Sequence, residues 1–106
     1  MPENIFSQSL DSTADEIFEV LLETAHFKLE RIISSGQAKL PGEWLEEETR
    51  EWVILLSGSA TLLFEGDSGG NRLGPGDYVY IPAHQKHRVE STDVKQKTVW
   101  LALHYR

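Results

Sequence analysis

Two runs decide how this chain folds: EWVILLSG at Glu51–Gly58 and GDYVYIPAHQKH at Gly76–His87. The first is an apolar strand that opens on a carboxylate and closes on a glycine. The second is a strand entered from the turn Gly74-Pro75-Gly76-Asp77, left through Pro82 and followed by a histidine. Proline presets φ and glycine permits a positive φ, so this turn chemistry brackets the strand on both sides.

Outward from these runs the chain reads as short strands and close turns. Ser57-Gly58-Ser59 leads into a strand over Ala60–Phe64, and the two strands are expected to form a hairpin. Gly66–Gly70 is a loop, Asn71–Leu73 a short strand and His87–Glu90 another. Lys97–Tyr105 is the last strand, with Thr98, Trp100, Ala102 and His104 on one face. Upstream, Phe27, Leu29, Arg31 and Ile33 alternate with Lys28, Glu30 and Ile32, again a strand pattern. Gln37–Leu40 is a further strand candidate, stopped at Pro41-Gly42, and Trp44–Arg50 is the acidic run WLEEETR. Nearer the start, Thr13 and Glu16 fit a capping box. Ile17, Phe18, Leu21 and Leu22 follow at helical spacing and predict a short helix from about Ala14 to Glu23. Met1–Leu10 is expected to be an arm packed by Ile5, Phe6 and Leu10.

The organisation expected is one domain over 1–106, with the arm and short helix in 1–25 and a β-barrel in 26–106. Many short strands at close intervals indicate a small antiparallel sandwich or barrel. Such a barrel leaves a pocket at one mouth.

Composition narrows the function. A chain of 106 residues, 40% hydrophobic and 25% charged, is ordinary for a globular protein with one core. A net charge of -7 argues against a nucleic-acid partner, which needs a basic stripe to displace counterions from phosphates. It argues equally against an anionic membrane surface. With no cysteine there is no disulfide, zinc-thiolate site or thiol nucleophile. No signal-peptide pattern stands at the N-terminus, and no apolar run approaches the ~20 residues of a membrane span. A soluble, cytoplasmic protein is expected.

These residues resemble the cupin family. Glu51 and Gly58, with six residues between them, match the end of its first motif. Gly76, Pro82 and His87 match the second, with His84 where glycine is usual and Ser91 where asparagine is usual. The resemblance covers Ala38 to the C-terminus. It implies a double-stranded antiparallel β-barrel, a jelly roll, with a pocket between its sheets. In metal-binding cupins the ligands are a histidine pair, the glutamate and the second-motif histidine. Here the places of the pair fall on Trp44 and Glu46, or on Leu45 and Glu47.

Three functions are therefore open. The first is small-molecule binding, with one divalent ion (Mn, Fe, Zn or Ni) held by Glu51 and His87 together with Glu46, Glu47 or His104. An oxygen-rich donor set of that kind suits such ions. The competing view of Glu46, Glu47 and Glu48 is a solvated acidic edge. The second is a metal-free isomerase or epimerase in which His87 works with Tyr78 or Tyr80 and Glu51 orients the histidine. Tyrosines at alternate strand positions are commonly packing residues instead. The third is a structural or sensor protein that keeps the barrel without the chemistry. His84 is expected at the rim, and nothing recommends His26 as a ligand. Trp44, Trp52 and Trp100 are expected in the core or at an interface, and the family resemblance implies a homodimer.

Overall fold

The computed structural model describes residues 2–7, 16–36 and 43–106. It contains eight strands: β1 Ile17–Glu23, β2 Phe27–Ser34, β3 Arg50–Ser57, β4 Ala60–Phe64, β5 Asn71–Leu73, β6 Tyr78–Ile81, β7 His87–Thr92 and β8 Thr98–Tyr105. They form two antiparallel sheets. One has five strands in the order β1-β2-β8-β3-β6, the other three in the order β5-β4-β7. This is an all-β jelly-roll arrangement, with the core between the two sheets.

The strands follow from the alternation in the sequence. Along β3 the burial alternates so that Glu51, Val53 and Leu55 face inward. Along β8 Thr98, Trp100, Ala102 and His104 do the same. The inward side chains meet in a core of Val53, Leu55, Ala60, Leu62, Leu73, Ile81, Trp100 and Ala102. Apolar area removed from water there is the main favourable term of folding. The indole Nε1 of Trp100 donates to Ser34 Oγ at 3.3 Å, so its one polar atom is satisfied inside the core.

Two expectations are corrected. No helix occurs among the described residues: Ile17–Glu23 is strand β1, paired antiparallel with β2 (Ile17 opposite Ile33, Glu23 opposite Lys28). A short apolar run satisfies both periods at once, and here the open edge of β2 decides. Glu16 serves no helix end; its Oε2 accepts a hydrogen bond from Ser34 Oγ at 2.6 Å. The capping residue Thr13 and the strand candidate Gln37–Leu40 lie outside the described residues.

The second correction concerns the hairpin. β3 and β4 do not pair, because β3 lies between β8 and β6 while β4 lies between β5 and β7. The Gly58 turn carries the chain from one sheet to the other.

The turn before β6 behaves as its residues predict. Gly76 has φ +90°, the Asp77 carboxylate accepts from Gly74 N–H at 2.8 Å, and Gly76 N–H donates to Leu55 O at 2.7 Å. Of the N-terminal arm, Ile5 and Ser7 are held from below. Arg31, 6% exposed, donates to their carbonyl oxygens at 3.1 and 2.6 Å and pairs with Glu19 at 2.7 Å.

Candidate functional site

Five polar side chains converge at one end of the core. Glu51 is the first inward residue of β3, and His104 stands directly opposite it on β8. Glu30 projects from β2, His87 opens β7 from the other sheet, and Glu47 comes from the segment that leads into β3. That segment is fastened to β7 by a pair of backbone hydrogen bonds. Leu45 N–H donates to His87 O at 2.8 Å, and His87 N–H donates back to Leu45 O at 3.0 Å.

The side chains enclose a cavity of about 110 Å³. Its floor is apolar, formed by Ile32, Val53, Leu62, Ile81, Val89 and Trp100. Phe18 and Leu45 also line it and are partly open to solvent.

The two histidines are held differently. His87 is buried, and its Nδ1–H donates to the Gln85 carbonyl at 2.8 Å. A carbonyl only accepts, so Nδ1 carries a proton, and in the neutral ring Nε2 keeps its lone pair. That Nε2 lies 3.8 Å from Glu51 Oε1. His104 is clamped between carboxylates, with Nε2 2.7 Å from Glu30 Oε1 and Nδ1 3.1 Å from Glu47 Oε2. The hydrogen bond to Glu47 is the main reason its pKa is raised to about 9, against an opposing push from burial. The same bond lowers the pKa of Glu47. Glu51 is raised instead, because burial disfavours its charge. Glu51 is 9% exposed, lies 3.9 Å from His104 Nε2 and accepts no hydrogen bond among the described residues.

The structure therefore brings Glu51, His87, Glu47 and His104 together, and donor atoms of Glu47, Glu51 and His104 lie within 4.8 Å of one another. Of the two placements for the missing histidine pair, it is Leu45 and Glu47 that line the cavity. Trp44 packs under Arg88, with the guanidinium 4.5 Å from the ring centroid. Glu46 is exposed and pairs with His84 at 3.3 Å.

Tyr78 and Tyr80, 65% and 48% exposed, sit on the outer face of β6, whose Ile81 points inward. Neither lines the cavity, and Tyr78 packs against Trp52. The participant that sequence reasoning missed is Glu30. Its signal was an acidic residue on the same strand face as Ile32, opposite the inward Ala102.

His84 adopts φ +65°, in the position where the family usually has glycine. Its N–H donates to Glu47 O at 2.8 Å, so this turn also anchors the segment that carries Glu47. A left-handed conformation costs a residue with a side chain roughly 1–2 kcal/mol. The exposed pair with Glu46 returns about 0–1 kcal/mol. His84→Gly is therefore expected to leave stability unchanged or raise it by up to ~1 kcal/mol in urea denaturation. A loss beyond ~2 kcal/mol would mean that the imidazole, not the backbone bond, anchors the turn.

A family model described as a cupin domain matches residues 32–104. The chain belongs to the cupin family. A crystal structure from Ralstonia eutropha JMP134, named a "putative mannose-6-phosphate isomerase", is 46% identical to this cupin. It covers 99% of this chain and 97% of its own, with a TM-score of 0.94. An RmlC-like cupin with a double-stranded β-helix fold from Methanocaldococcus jannaschii is 18% identical, covers 99% of this chain and 92% of its own, and has a TM-score of 0.72. A polyketide cyclase from Streptomyces resistomycificus is 19% identical, covers 85% of this chain and 64% of its own, and has a TM-score of 0.73. The last two likenesses are of fold alone. No curated protein sequence matches the chain at a significant level.

Proposed function

We propose that this cupin binds a small molecule in the cavity beside a divalent metal ion held by Glu51, His87, His104 and Glu47. The observation that carries the reading is Glu51, a largely buried carboxylate that accepts no hydrogen bond among the described residues and stands 3.8 and 3.9 Å from the Nε2 atoms of His87 and His104. Donor atoms of Glu47, Glu51 and His104 lie within 4.8 Å of one another, a spacing that fits a divalent ion. A second-layer contact also suits a metal. Gln85 O holds the far nitrogen of His87, as carbonyls do for metal-bound histidines. Two imidazoles and two carboxylates suit Mn, Fe, Ni or Zn. Such an ion would supply Lewis-acid chemistry in the cavity.

The test is metal analysis of protein purified without chelator, followed by thermal unfolding of the chelator-treated protein with each ion added. A specific ion at ~100 times its Kd stabilises by about 2.7 kcal/mol. For a domain of this size that raises Tm by about 10 °C or more. Glu51→Gln is expected to abolish this rise. The same substitution should make the metal-free protein more stable, because it removes a charge that burial disfavours. His87→Ala is expected to abolish the rise as well. Absence of stoichiometric metal, together with no rise for any of the four ions, would refute the metal centre.

One observation favours a second reading. His87 Nε2 is a free acceptor beside a carboxyl whose pKa is raised, which is an acid–base pair without any metal. The Ralstonia relative's name contains an isomerase, an activity that needs such a pair. Neither tyrosine would assist, since both stand outside the cavity. Ligand-induced stabilisation that survives chelation and is lost in His87→Ala would select this reading.

A further inference from the structure

We infer that the cavity takes a small organic cation, a primary ammonium on a short apolar body, and rejects phosphorylated and carboxylated ligands. The inference deepens the proposed function and rests on its reading of this cavity as the ligand site.

Charge is the first ground. The lining contains four carboxylates, Glu16, Glu30, Glu47 and Glu51, and neither lysine nor arginine. A bound divalent ion would neutralise two of those charges and still leave the lining acidic. Lys28, on the same face of β2 as Glu30, lines a separate cleft that shares only Glu47 and His104 with the cavity. A phosphate inside would thus meet carboxylates at short range, and the cation present there, the His104 imidazolium, is already clamped between Glu30 and Glu47.

Unfilled acceptors are the second ground. Glu16 uses one oxygen on Ser34 Oγ, and Glu30 uses one on His104 Nε2. The other oxygen of each has no hydrogen-bond partner among the described residues, and neither residue is a proposed metal ligand. An ammonium brings three donors and no acceptor, which complements that set.

Size and floor are the third. About 110 Å³ is small beside the ~300–1,000 Å³ of pockets for drug-sized ligands. The apolar floor around Trp100 suits a short alkyl chain, and an indole face also attracts cations.

Isothermal titration at pH 7 of both chelator-treated and Mn-loaded protein tests this, with n-butylammonium chloride, sodium butyrate and mannose 6-phosphate as probes. Butylammonium and butyrate are matched in size and opposite in charge. Butylammonium is expected to bind at least about tenfold more tightly than butyrate in both forms, and mannose 6-phosphate not measurably. Glu16→Gln lies outside the proposed metal ligands. It should weaken butylammonium several-fold while leaving metal content unchanged. Preference for butyrate or mannose 6-phosphate overturns the inference, as does failure of butylammonium to bind or an unchanged affinity in Glu16→Gln. If Mn does not bind but the preference for butylammonium persists, the metal centre falls and the ligand class stands.

Discussion

His104→Ala is expected to cost about 3 kcal/mol of folding stability at pH 7, measured by urea denaturation in the presence of chelator. The imidazolium is clamped between Glu30 and Glu47 and faces Glu51 across the β3–β8 pair. Removing it leaves Glu30, only 8% exposed, without its partner. An uncompensated buried charge is the costly outcome of breaking such a pair.

The pH dependence identifies the cause. The pKa of His104 is raised from 6.5 to about 9 in the folded protein. A group whose folded pKa is raised contributes stability that is full below the unfolded value and is lost as pH climbs through the folded one. Wild-type protein should therefore lose stability steadily between pH 6.5 and pH 9. Each unit is worth ~1.4 kcal/mol, and solvent screening at the cavity mouth reduces the sum to about 2 kcal/mol. The alanine variant should be nearly flat over that interval. Parallel profiles for the two proteins would show that the histidine carries no charge at neutral pH.

The second large effect lies far from the cavity. Gly58→Ala is expected to destabilise by about 3 kcal/mol or more. Gly58 has φ +87°, and a Cβ there would stand 2.4 Å from Thr98 Oγ1, 2.7 Å from Thr98 Cα and 2.8 Å from Lys97 O. Two of these atoms are backbone of the neighbouring chain segment and have no rotamer to escape into. Thr98 is fully buried and donates to Ser59 O at 3.1 Å, so its side chain is fixed as well. Gly66 separates the two contributions: it has φ +96° but nothing within 4 Å of its would-be Cβ. Gly66→Ala should show the conformational cost alone, roughly 1–2 kcal/mol. Equal losses in the two variants would mean that the approach to Thr98 contributes nothing. A loss of 3 kcal/mol corresponds to a fall in Tm of about 12–24 °C at this size, so thermal unfolding resolves the difference.

Much of the barrel was legible because its strands carry strong signals. The inward face of β8 was readable from Thr98 to His104 by alternation alone. Glu51 and His87 were readable because turn glycines and Pro82 stand at recognisable distances from them. What failed was local ambiguity. Ile17–Glu23 has apolar residues at both odd and even positions, so period alone could not separate strand from helix. The Gly58 turn looks like a hairpin turn, and nothing within it says that its flanking strands join different sheets. Glu30 was hidden because a lone acid in an alternating strand ordinarily faces solvent. Its role appears only when β8 places His104 2.7 Å away, a contact across 74 residues.

The joining of Leu45 to His87 through backbone hydrogen bonds alone has a consequence for how such pockets diversify. Main-chain pairing is indifferent to side-chain identity. The backbone pair therefore holds position 45 in place whatever side chain it carries, whereas position 47 is also tied through its carboxylate to His104. At position 45 donor placement is thereby uncoupled from donor chemistry. A different side chain there would line the same cavity while Glu51 and His87 stay where the barrel puts them.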